Sequence, residues 1–140
     1  MIDLVRDLAT FLTREPRSVD DIAAVLGPVR RDPSPHAPIE LAPRDAALTG
    51  ARVSRADGSP DTVELLLAVP LAVTNLRAAF GDFQVSHFKS DPSLPWTLRF
   101  ERAVQGDAGD VTLLVDATGD LKHLDTSTTT RVRLRLDPKP

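Results

Sequence analysis

The side chains best placed to do something specific lie near the C-terminal end, where Arg131, Arg133 and Arg135 alternate with Val132, Leu134 and Leu136. Successive residues of a strand point to opposite faces, so this period of two puts three guanidiniums on one face and three aliphatic groups on the other. The same rule places Thr97, Arg99 and Glu101 on the outer face of one earlier strand, and Thr112, Leu114 and Asp116 on that of another. Arginine binds carboxylates in a planar, two-pronged fashion and stacks well. An Arg-rich face with interspersed acids therefore suits an acidic protein surface, and Arg99, Glu101, Arg131, Arg133 and Arg135 are the candidate partner-binding residues. The competing reading is a solvated face whose charges pair across strands for about 0.2–1 kcal/mol each.

Other chemistries find little to work with. The three histidines, His36, His87 and His123, are scattered, and none has the helical spacing of a zinc site. The segment Asp116-Ala-Thr-Gly-Asp120 hints at a calcium loop but lacks the regular ligand pattern of one, and it reads as a turn. There is no nucleophile elbow, phosphate-binding loop or dinucleotide fingerprint. The carboxylates are spread along the chain, so no acid/base pair stands out. With no cysteine, thiolate chemistry and disulfides are excluded. No catalytic residue, metal ligand or cofactor is assigned.

The elements that must carry the Arg face follow from periodicity. Residues 2–14 read as an amphipathic helix with Leu4, Val5, Leu8, Phe11 and Leu12 on one stripe, ended by Pro16. Ser18 caps a second helix, with Asp21 in a capping-box-like position, and Gly27-Pro28 stops it. Five prolines between 28 and 46 make that stretch an extended connector or edge segment. A hairpin spans roughly 49–69 around Asp57-Gly58-Ser59-Pro60. A third helix occupies about 71–80, and a weak strand follows, in which Phe83, Val85 and His87 alternate with Gln84, Ser86 and Phe88. Three clearer strands close the chain, separated by a turn at Gly106–Gly109 and a polar excursion over 119–130.

Two stretches align without a gap, with Pro16/Pro70, Val19/Val73, Ala24/Ala78 and Gly27/Gly81 identical. The turn-and-strand pieces 58–69 and 106–117 echo each other as well. Internal similarity of this kind points to a duplicated helix-plus-hairpin unit, with pseudo-repeat 1 at about 16–69, pseudo-repeat 2 at about 70–137 and the helix at 2–14 preceding both. The fold expected is one α+β domain over residues 1–140, with about three helices packed on one antiparallel sheet of five or six strands.

The short helix Val19-x-x-Ile22-x-x-x-Leu26-Gly27-Pro28, echoed by Val73, Leu76, Phe80 and Gly81 and followed by strands, resembles the repeat of the beta-lactamase-inhibitory-protein-like superfamily, which includes the small outer-membrane assembly lipoproteins. The resemblance covers about a fifth of the chain. It implies helices on one face of an antiparallel sheet and the other face free for a protein partner. It carries no individual functional residue, and the sequence departs from the lipoprotein pattern in having no lipobox cysteine.

Composition narrows the function class. The chain has 140 residues, 41% hydrophobic and 26% charged, with a net charge of −3, ordinary for a soluble domain and wrong for a general nucleic-acid binder. Asp3 and Asp7 oppose a signal peptide, and no apolar run approaches the roughly 20 residues that span a bilayer. A cytoplasmic location without membrane insertion is expected. The expected function is non-enzymatic binding of another protein through the outer sheet face, as an inhibitor, immunity factor or assembly adaptor. The alternatives are a small-ligand carrier or small enzyme with a pocket between helices and sheet, and a structural appendage of a larger assembly.

Overall fold

The computed structural model describes residues 1–15, 17–31, 37–85, 91 and 93–139. Helix α1, Ile2–Leu12, buries Val5, Leu8, Ala9 and Leu12, one stripe at helical spacing. It stops two residues short of the expected 14, where the Thr13 carbonyl accepts from the Ala108 N–H at 2.8 Å and ties the helix end to the sheet. Helix α2, Val19–Leu26, starts as its sequence dictates: the Ser18 hydroxyl accepts from the Asp21 N–H at 3.3 Å. It ends at Gly27, at φ 147°, where a Cβ would overlap the Ala42 carbonyl oxygen.

The Pro-rich stretch supplies two short strands, β1 (Val29–Arg31) and β2 (Ile39–Leu41), where an edge segment was expected. The hairpin β3 (Leu48–Ala56) and β4 (Ser59–Ala72) follows, with β4 running three residues past the expected end. Helix α3, Val73–Phe80, comes next. Its N-cap residue is Ala72, which has no side chain for the task, and the Ser127 carbonyl holds the Val73 N–H at 3.0 Å instead. Strands β5 (Gln84–Val85), β6 (Trp96–Gln105) and β7 (Gly109–Ala117) lead to a 3-10 segment, Leu121–Thr126, and to β8 (Thr128–Pro138). Part of the weak strand expected around residues 83–88 lies outside the described residues, as does Pro16.

The fold is α+β, and the described residues form one antiparallel sheet of eight strands in the order β1-β2-β3-β4-β8-β7-β6-β5. This corrects the expectation of five or six strands. The difference is physical: β1, β2 and β5 are three residues or fewer, too short to show a hydrophobic period. Against the expectation of about three helices, the described residues form four helical elements, α1, α2, α3 and a 3-10 segment in the excursion at 119–130. Each of the two eight-residue helices is followed by four strands, and the two groups of strands meet at β4 and β8.

One core cluster sits on one side of this sheet. Strands contribute Val53, Val63, Leu65, Leu98, Phe100, Leu113, Val132 and Leu134 to it, and all three helices and the 3-10 segment reach into the same cluster through Leu8, Ile22, Leu76 and Leu124. Helix α1 crosses β4, β6, β7 and β8. No helix among the described residues is long and apolar enough to cross a membrane.

Candidate functional site: the outer sheet face

With the helices gathered on one side, the opposite face of the sheet carries the alternate residues. Register builds it row by row. Arg52 lies opposite Glu64, Glu64 opposite Arg133, Arg133 opposite Leu114 and Leu114 opposite Arg99. A neighbouring row aligns Leu66 with Arg131, and on the other side Thr62 aligns with Arg135 and Thr112. The three alternating arginines of β8 and Arg99 of β6 thus share one surface, as their spacing requires.

What the alternation did not reveal is the set of acids that hold them. Arg131 donates from Nε and Nη2 to Glu64 Oε2 at 3.0 and 2.7 Å, and its Nη1 lies 3.6 Å from Asp116. Glu64 also faces Arg52 at 3.6 Å, and Asp116 faces Arg133 at 3.4 Å. A chain of alternating charge, Arg52–Glu64–Arg131–Asp116–Arg133, therefore crosses four strands. The hydrogen bond from Glu64 dominates in raising the Arg131 guanidinium above its ordinary range; partial burial opposes it, and the charges of Glu64 and Asp116 add to it. Further along β8, Arg135 Nε donates to Asp137 at 3.0 Å, while the Thr112 hydroxyl donates to the other Asp137 oxygen at 2.6 Å.

Arg99 is engaged more loosely. Its Nη2 donates to the neutral Gln84 side chain at 3.2 Å, and Glu101 lies 3.8 Å from Nη1. Glu101 is exposed, just before the point where β6 slips register against β7, with Arg102 at φ 52°. Among the described residues, Arg99 Nε and Arg133 Nε are buried and have no hydrogen-bond partner.

The face is not flat. After Leu66, β4 leaves its register with β8, so that residues 67–70 stand against Thr130 alone before Leu71 pairs with Thr129. The detour opens a concavity of about 440 Å³ lined by Leu66, Pro95, Asp116, Thr128, Thr130 and Arg131. A second concavity of about 200 Å³ opens beside Gly50, between Arg52 and Leu66. On the helical side a groove of about 190 Å³ runs between α1 and α2, past Phe11 and Val25.

The remaining polar candidates are accounted for locally. Asp116 turns to the arginines, and Asp120 accepts the Lys122 N–H at the start of the 3-10 segment, so the two ends of the hinted calcium loop serve different purposes. His123 is exposed, 3.7 Å from Asp120. His36 and His87 lie outside the described residues.

No protein-family model matches the chain, and no curated protein matches it. Among solved structures it is similar to a DUF4309 family protein (YjgB) from Bacillus subtilis, at 11% identity and a TM-score of 0.55, over 97% of each chain. At that identity the likeness shows the fold alone.

Proposed function

We propose that the chain is a non-enzymatic protein-binding module of the inhibitor, immunity or assembly-adaptor type, engaging its partner through the outer sheet face. One observation carries this reading. Every helical element feeds the core on one side of the sheet, and the other side presents Arg52, Arg99, Arg131, Arg133 and Arg135 with no element laid over them among the described residues. Arginine-rich, partly desolvated patches are where interface energy concentrates. The beta-lactamase-inhibitory-protein-like resemblance carried by Val19, Ile22, Leu26, Gly27 and Pro28 implies the same free face.

The test is capture from the native host with wild-type protein, with Arg131→Gln/Arg135→Gln, and with Arg6→Gln/Arg14→Gln on the helical side. Neutral replacements are preferable to charge reversal because a new acid at 131 or 135 would confront Glu64, Asp116 or Asp137. The expected result is loss of the partner with the sheet-face pair and retention with the helix pair. Equal recovery with both pairs rejects the outer face.

A further inference from the structure

We propose that the hollow beside Gly50 on the outer face seats one tyrosine side chain of the protein partner. This rests on the protein-binding reading and specifies its chemistry.

The hollow exists because residue 50 carries no side chain. Strand β3 shifts register between Leu48 and Gly50, and Gly50 comes to lie opposite Leu66. A Cβ at residue 50 would stand 3.1 Å from Leu66 Cδ1, so even one methyl there crowds the opening between them. Glycine inside a strand leaves bare backbone where another group can approach closely, and an aromatic ring laid across it is the usual cover. This chain has no tyrosine and one tryptophan, and no aromatic side chain lines the hollow. The cover has to come from outside.

Size and lining select that cover. The hollow measures about 200 Å³, and Arg30, Thr49 and Arg52 on its rim are exposed, so a partner side chain can enter it. A protein cavity of about 150 Å³ takes a benzene molecule, so one six-membered ring fits. Leu66 and Pro43 supply apolar wall. The Arg30 side chain makes no hydrogen bond or ion pair among the described residues, and Arg52 only approaches Glu64, at 3.6 Å. Guanidinium groups are attracted to the face of an aromatic ring. Glu40 lines the same hollow, and its carboxylate is likewise without a partner among the described residues. That carboxylate repels an acidic side chain and accepts a hydrogen bond from a phenol hydroxyl, which sets tyrosine apart from aspartate, glutamate and phenylalanine. An aliphatic side chain would fill the space and answer neither Arg30 nor Glu40.

The test is nuclear magnetic resonance of the whole chain, titrated with N-acetyltyrosinamide, N-acetylphenylalaninamide and N-acetylleucinamide. The expected result is a saturable upfield ring-current shift of the Leu66 methyl signals with the tyrosine amide. Its binding should be at least about threefold tighter than that of the phenylalanine amide, the margin falling away in Glu40→Ala. The leucine amide should give no saturable shift. Gly50→Leu should abolish the response, and Gly50→Ala should weaken it while keeping the fold, because its methyl meets only the flexible end of Leu66. An equal response to the phenylalanine or leucine amide, no shift at Leu66, or an undiminished shift in Gly50→Ala overturns the proposal. This outcome is separable from failure of the broader reading. Partner loss with Arg131→Gln/Arg135→Gln but unchanged capture with Gly50→Leu rejects the seat and keeps the face. Unchanged capture with those two arginines neutralised rejects the face itself, whatever the amides do.

Discussion

Glu64→Gln removes the acid on which the charge chain turns while keeping side-chain shape. Glu64 is only 12% exposed and takes two hydrogen bonds from Arg131, which is 44% exposed, plus a looser approach from Arg52 at 3.6 Å. Exposed ion pairs contribute about 0–1 kcal/mol, and hydrogen bonds to charged groups about 1.5–3 kcal/mol. With one partner only partly exposed and the other screened by water, the coupling between Glu64 and Arg131 is about 1–2 kcal/mol. The measurement is a double-mutant cycle in urea with Glu64→Gln, Arg131→Gln and the double variant, at low and high salt. The coupling should shrink with salt, because the Arg131 side is exposed to screening. The pH dependence has a definite sign. A cation held above its ordinary range stays charged at every pH below that range and is lost only as pH climbs through it, so the coupling is the same at about pH 7 and about pH 10. A coupling under about 0.3 kcal/mol, or one that fades by about pH 10, refutes the geometry on which the charge chain rests.

Two further outcomes follow from backbone and core. Gly27 and Gly81 occupy aligned positions after α2 and α3, both at left-handed φ, 147° and 89°, yet only at Gly27 would a Cβ meet other atoms. Alanine at either site incurs about 1–3 kcal/mol of backbone strain, and Gly27→Ala adds about 1–3 kcal/mol of overlap with the Ala42 carbonyl; equal urea midpoints for the two variants would sink this account. Phe100, fully buried with its ring centroid 5.6 Å from that of Phe83, should lose about 3–5 kcal/mol on Phe100→Ala, read by thermal or urea unfolding.

Elements whose logic is local were legible in the sequence. Ser18 and Gly27 bound α2, the Asp57-Gly58 turn separates β3 from β4, and the β8 alternation places three arginines opposite Val132, Leu134 and Leu136. Elements whose logic is tertiary were not. Strand β1 is three residues, all exposed, and becomes a strand only because β2 offers it a ladder. The partnership of Glu64 with Arg131 depends on register between strands far apart in the chain, which neither strand encodes alone. The orphaned Nε groups of Arg99 and Arg133 were hidden for the same reason: alternation assigns a face but not a partner.

Strand β8 comes last in the chain order yet lies in the middle of the sheet, between β4 and β7. Until it has been made and inserted, β4 and β7 each offer an unpaired edge with an apolar row, Val63 and Leu65 on one and Val111, Leu113 and Val115 on the other. Those are the features that invite pairing with foreign chains. The two groups of strands can form locally as hairpins, but joining them waits on a long-range closure, the slow kind. Any state in which β8 has yet to dock leaves β4 and β7 as open edges, and the same strand that closes the sheet carries Arg131, Arg133 and Arg135 on its outer face. Closure of the sheet and completion of the arginine face are one event.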